Sequence, residues 1–153
     1  MAEAADTLLE YLEEANKLVL AKYPKAQFYE ADNLTGDALG SQWQFVFNDP
    51  STSPNSTVII ERLERGFGEP RHIPHPWLGD RVIKLPIHRG LGEARERCDN
   101  SKCGGYASAI VLRHPLYPGV DEPYYIVTVA SERRRCWVGV NTGQVKCEQM
   151  TDA

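Results

Sequence analysis

The residue types capable of chemistry are few, and their spacing is loose. Cys98, Cys103, Cys136 and Cys147 are the four cysteines, with four residues inside the first pair and ten inside the second. Neither pair is the Cys-x-x-Cys knuckle of a zinc ribbon, and the even count suits two disulfides. His72-Ile-Pro-His75, with His88 or His114 as a third ligand, offers imidazoles to a zinc ion. A proline-broken run, however, supplies neither helix nor hairpin to converge them, so no metal site is expected. No nucleophile elbow, phosphate loop or dinucleotide fingerprint occurs. The run GFGEPR at residues 66–71 has two glycines but no strand-to-helix switch behind them. Cysteine–histidine pairs of the thiol-nucleophile kind arise here only as chance combinations. Asp121-Glu122 precedes a proline and reads as turn chemistry. The expectation is a protein that is not an enzyme and has no cofactor.

Binding chemistry has more material. Arg133-Arg134-Arg135 could hold phosphates or a sulfated sugar. A formal charge of −4, from 17 basic and 21 acidic side chains, creates no global field toward nucleic acid. The plainer reading of the three arginines is a solvated bend between strands. Trp77, Tyr117, Tyr124, Tyr125 and Trp137 could line a carbohydrate or peptide groove, although strand spacing commits some of them to the core. Asn33-Leu-Thr35 and Asn55-Ser-Thr57 are glycosylation acceptors that matter only in a secretory route.

The elements that must position these groups follow from periodicity. Leu8, Leu12, Ala15, Val19 and Tyr23 recur at helical spacing, Thr7 to Glu10 form a capping box, and Pro24 stops the helix. QWQFVFN at 42–48 alternates as a strand, with Trp43, Phe45 and Phe47 on one face. Residues 26–31 and 57–63 are further strands. Residues 66–86 carry four prolines and three glycines, which suit an edge strand or connector and mark a boundary. A second helix is expected through Ile87, Leu91, Ala94 and Cys98, then a strand at 106–113 and a closing hairpin through CWVGV and QVKC. Helix, strand, loop and strands thus recur, which predicts an α+β chain of two helix-plus-antiparallel-sheet units, residues 1–80 and 81–153, either as two fused repeats or as one compact domain. Counted across a two-residue Asn141-Thr142 loop, Cys136 faces Cys147, while a three-residue loop would offset them. The first register predicts a Cys136–Cys147 cross-strand disulfide, with Cys98–Cys103 as the second.

The helix followed by YPKAQFYEA, the aromatic strand WQFVFN and the hairpin CWVGVNTGQV resemble the PepSY and cystatin-like group of helix-on-sheet proteins. Val138, Val140, Asn141, Thr142, Gly143 and Val145 match the PepSY strand-turn. PWLGD followed by HPLYPGVDEPYYI is similar to small fungal proteins without a signal peptide, some of them immunomodulatory. The first resemblance implies a tandem cystatin/PepSY-like fold, and the second a non-enzymatic binding protein with a protein partner. Cystatins inhibit papain-type proteases through Gln-x-Val-x-Gly and Pro-Trp loops. Gln44, Val46, Pro76 and Trp77 match those motifs, with Asn48 in place of the glycine. An alternative function is therefore a cystatin-like inhibitor of cysteine proteases, against a plain core strand plus a loop tryptophan covering it. The acidic, interrupted N-terminus is unlike a signal peptide, and no run of apolar residues is long enough to span a membrane. The expectation is a cytoplasmic or non-classically secreted chain, with no nucleic-acid partner and no membrane insertion.

Overall fold

A computed structural model describes residues 7–33 and 42–150. The first helix, α1 (Thr7–Lys22), buries Leu8, Leu12, Ala15 and Val19, the face its spacing predicts. Three strands follow, β1 (Gln27–Asn33), β2 (Trp43–Asp49) and β3 (Ser56–Leu63), and then the short β4 (Gly66–Phe67) and β5 (Arg71–Ile73). After a long connection come α2 (Leu91–Asn100), β6 (Ala109–Arg113), β7 (Tyr124–Val129), β8 (Arg134–Gly139) and β9 (Val145–Gln149). Ile87 lies outside α2, because Gly90 is extended (φ −85°, ψ 169°) and caps the helix from its N-terminal side.

All nine strands form one antiparallel sheet in the order β4-β3-β2-β1-β6-β7-β8-β9, with β5 also on β3. This corrects the expectation of two cystatin/PepSY-like helix-on-sheet units. β1 is hydrogen-bonded on both sides: Asp32 pairs with Gln44 of β2 and with Val111 of β6, and Glu30 with Val46 and Arg113. Backbone groups at a strand edge need partners, and β1 and β6 provide them for each other. The two runs of strands therefore merge instead of standing as separate sheets.

Both helices contribute to the same core. Phe28, Ala31, Phe45, Phe47, Val58 and Ile60 lie in it beside Ile110, Leu112, Tyr125, Val127 and Val138. A bulge in β1 makes this possible. Pairing shifts between Phe28 and Glu30, leaving Tyr29 as the extra residue. The shift brings Phe28 and Ala31, three apart, to one face, and turns Glu30 and Asp32 to the other.

The four cysteines form two disulfides, Cys98–Cys136 and Cys103–Cys147, with Cα separations of 6.1 and 5.8 Å. The pairing expected from sequence is overturned, although its register is the one observed: Cys136 does stand opposite Cys147. Directly opposed residues share a sheet face, and here that face lies under the end of α2. Cys98, buried in the last turn of α2, takes Cys136. The backbone then reverses at Lys102 (φ 58°) and hands Cys103 to Cys147.

The arginine run is not a solvated bend. Only Arg133 occupies the bend, in the left-handed conformation. Arg134 donates to the carbonyls of Cys103 (3.2 Å) and Gly104, and Arg135 pairs with Glu148 at 3.2 Å. Asp121-Glu122 does more than shape a turn. The buried Glu122 carboxylate accepts from the Asn141 amide (2.7 Å), the Thr142 amide (2.9 Å) and the Thr142 hydroxyl (2.6 Å). A Cβ on Gly139 would collide with that carboxylate. The hydrogen bonds outweigh burial and hold the Glu122 carboxyl below the usual glutamate range.

Peptide mapping under non-reducing conditions should yield Cys98–Cys136 and Cys103–Cys147 linked fragments. Replacing the first pair by serine, which opens a span of 38 residues, should lower unfolding free energy by about 4 kcal/mol in denaturant titrations. Glu122→Ala strands two turn amides and should cost about 2–3 kcal/mol in the same assay. A depressed folded pKa stabilises above the unfolded value, so this contribution should fade as pH falls through the acid range.

Candidate site: a carboxyl cluster beneath a strap

The face of the sheet away from the helices is crossed by residues 74–80. At one end the Thr57 hydroxyl of β3 donates to the His75 carbonyl at 2.6 Å. At the other, Asp80 forms an antiparallel bridge with Pro115, just past β6, and the Arg81 amide reaches the His114 carbonyl at 2.9 Å. The segment therefore straps β3 to the end of β6 across β2 and β1. Val46, which points to this face, is fully buried.

Beneath the strap, Glu30 and Asp32 project from β1, Asp80 from the strap and Arg113 from β6. Arg113 Nε donates to Asp80 Oδ1 at 2.8 Å and lies 3.8 Å from Glu30 Oε1, while its Nη2 donates to the Gly79 carbonyl at 2.9 Å. Trp77 Nε1 donates to Asp80 Oδ2 at 2.9 Å, and Gln44 Nε2 to Asp32 Oδ2 at 3.4 Å. The Glu30 side chain is only 11% exposed and that of Asp80 1%. Three carboxyls around one guanidinium cannot all ionise in so dry a place. Burial, and then hydrogen bonds to Asp80 and Asp32, push the Glu30 carboxyl up to about 10. Glu30 thus keeps its proton and can donate it to an acidic neighbour. Asp32 is also raised, chiefly by burial. Tyr29 beside them is raised by burial and by the Asp80 charge.

This arrangement ties the strap to the sheet through donors that all have acceptors. It brings together three of the four residues singled out from the sequence. Gln44 donates to Asp32 and Trp77 to Asp80, both within the cluster, and Val46 is buried two residues along β2 from Gln44; Pro76 is exposed beside Trp77. Gln44 and Val46 lie inside β2, not at a loop tip. The histidines are dispersed: His72 stacks on Tyr23 at 5.8 Å, His114 is buried, and His75 and His88 are exposed. Among the described residues, no group of three His, Cys, Asp or Glu side chains is arranged to hold a metal ion. Asn55 is exposed ahead of β3, whereas Thr35 of the other acceptor sequence falls outside the described residues. No described helix is long and apolar enough to cross a membrane.

The sequence reading missed Glu30, Asp32, Asp80 and Arg113. The available signal was Glu30-x-Asp32, two acids at strand spacing of which the second lies just past the strand expected at 26–31, and Trp77 three residues before Asp80. Nothing in the sequence placed Arg113 beside them.

No family model matches the chain, and no curated protein does. One solved structure shares its fold, that of a "putative lipoprotein" from Clostridium difficile 630. The likeness has a TM-score of 0.59 at 14% identity and covers 90% of this chain and 91% of the other.

Because folded Glu30 keeps a proton that the unfolded chain releases above about pH 4.5, the cluster should lose stability as pH rises from 5 toward 10. Glu30→Gln retains the donor without the titration. Urea titrations at a series of pH values should therefore show the variant gaining on the wild type as pH increases.

Proposed function

We propose that this protein is a non-enzymatic binding protein whose protein partner docks on the two loops clamped by the strap's end. One observation carries the reading. Leu78 is 83% exposed, Tyr117 57% and Leu116 50%, on neighbouring loops joined by the Asp80–Pro115 bridge. Scattered exposed apolar side chains need no explanation, but large ones presented together on braced loops suit an interface. Arg113 holds the Gly79 carbonyl and Trp77 holds Asp80, so the backbone on both sides of Leu78 is fixed before any partner arrives. Such preorganisation lowers the entropic cost of docking. A cleft of about 250 Å³ adjoins these loops, lined by Val82, Lys84, His114 and Asp121 among others, and is large enough to take a partner's side chain. The carboxyl cluster is spent on bracing, and its sealed side chains favour a latch over an acid catalyst. The protease-inhibitor alternative needs Gln44 and Val46 at a wedge tip, and their place inside β2 lends it no support. Two disulfides suit an oxidising compartment.

Panning a phage-displayed peptide library against the protein should enrich apolar peptides. Their binding should be lost in Leu78→Ser/Tyr117→Ser and retained in Leu63→Ser, a change at another exposed leucine. Failure to enrich peptides, or equal binding to both variants, would remove the proposal.

A further inference from the structure

The sheet ends in two unlike edges. At one, β4 and β5 are two and three residues long, and β5 is flanked by Pro70 and Pro74, the usual means of blunting an edge. At the other, β9 runs for five residues without proline, and among the described residues no strand pairs with its outer side. The Gly139 amide bonds the Gln144 carbonyl, and the Met150 amide the Arg133 carbonyl. Alternation along an antiparallel ladder then turns the amides and carbonyls of Val145, Cys147 and Gln149 outward.

We infer that β9 pairs with β9 of a second copy of this chain, antiparallel and about a two-fold axis at Cys147. The charges on the strand select that register. Lys146 and Glu148 are exposed on the helix-free face, flanking Cys147. With Cys147 on the axis, each Lys146 faces the second copy's Glu148 in a closely spaced pair, and Val145 bonds the second copy's Gln149. Moving the axis to residue 146 opposes two lysines, and moving it to 148 opposes two glutamates. A shift by an odd number of residues would set outward-facing groups against inward-facing ones. The strand is thus self-complementary in one two-fold register, as an isologous interface requires. Within one chain, Lys146 lies 5.2 Å over the Tyr124 ring, and Glu148 accepts from Arg135 and Trp137. These contacts keep both side chains on the face where the pairs form. Both helices lie on the opposite face, so they do not obstruct those pairs. This surface is remote in the sheet order from the β1–β6 joint, so its test is independent of the partner-docking loops.

Sedimentation velocity over a wide concentration range, with the disulfides intact, tests the inference. The wild type should show reversible, non-covalent dimerisation, running as a monomer on non-reducing denaturing gels. Lys146→Glu and Glu148→Lys should each weaken association by about tenfold or more, because two attractions become two repulsions. The decisive sample is an equimolar mixture of the two single variants, in which every opposed pair is again unlike. That mixture should dimerise at least as tightly as the wild type, a recovery that a folding defect in either variant could not produce. A wild type that stays monomeric throughout, or a mixture no more associated than its components, would overturn the inference.

Discussion

The antiparallel joint between β1 and β6 is the contact on which the rest of the structure depends. It pairs Glu30 with Arg113, Ala31 with Leu112 and Asp32 with Val111, residues from opposite halves of the chain. Ile83 extends it by donating to the Phe28 carbonyl. Without it, β1 and β6 would each expose a row of backbone donors and acceptors, and the apolar face of each half would end abruptly at that edge. With it, one core runs beneath both helices. The same joint creates the charge problem on the other face, because pairing in this register sets two carboxyls of β1 against a single arginine.

The strap resolves that problem and adds to it. Asp80 gives Arg113 a close partner but brings a third carboxyl into a space that water scarcely enters. The solution is protonation: Glu30 acts as a donor between acidic neighbours, and Trp77 and Gln44 supply the remaining hydrogens. A neutral donor here avoids burying uncompensated charge, which is far costlier than a shared proton. The result is a rigid end to the sheet on which Leu78, Leu116 and Tyr117 stand exposed.

The closing hairpin is secured by different means. One carboxylate, Glu122, satisfies the amides of the Asn141-Thr142 turn, and two disulfides tie the paired strands β8 and β9 to the end of α2. Because each disulfide joins different elements and not two neighbours on one hairpin, each restrains a long span of chain, where the entropic stabilisation is larger.

Local periodicity was enough to place α1 and the alternation of β2, and it narrowed the last hairpin to two registers, because each depends on residues within a few positions of one another. Cys136 opposite Cys147 was one of those two, and the folded hairpin adopts it. Which sulfurs bond was not legible, because that depends on where α2 lies over β8. The bulge at Tyr29 hid the carboxyl face of β1, since it breaks the period of two on which the reading relied. A repeat of local elements looked like two sheets, and only the edge-to-edge satisfaction of β1 by β6 made them one. Gln44 and Trp77 could be singled out by type, but their role could not, for Asp32, Asp80 and Arg113 meet them only after the chain has closed. Short-range pattern specifies elements; the pairing of distant edges and the sharing of buried protons are properties of the folded whole.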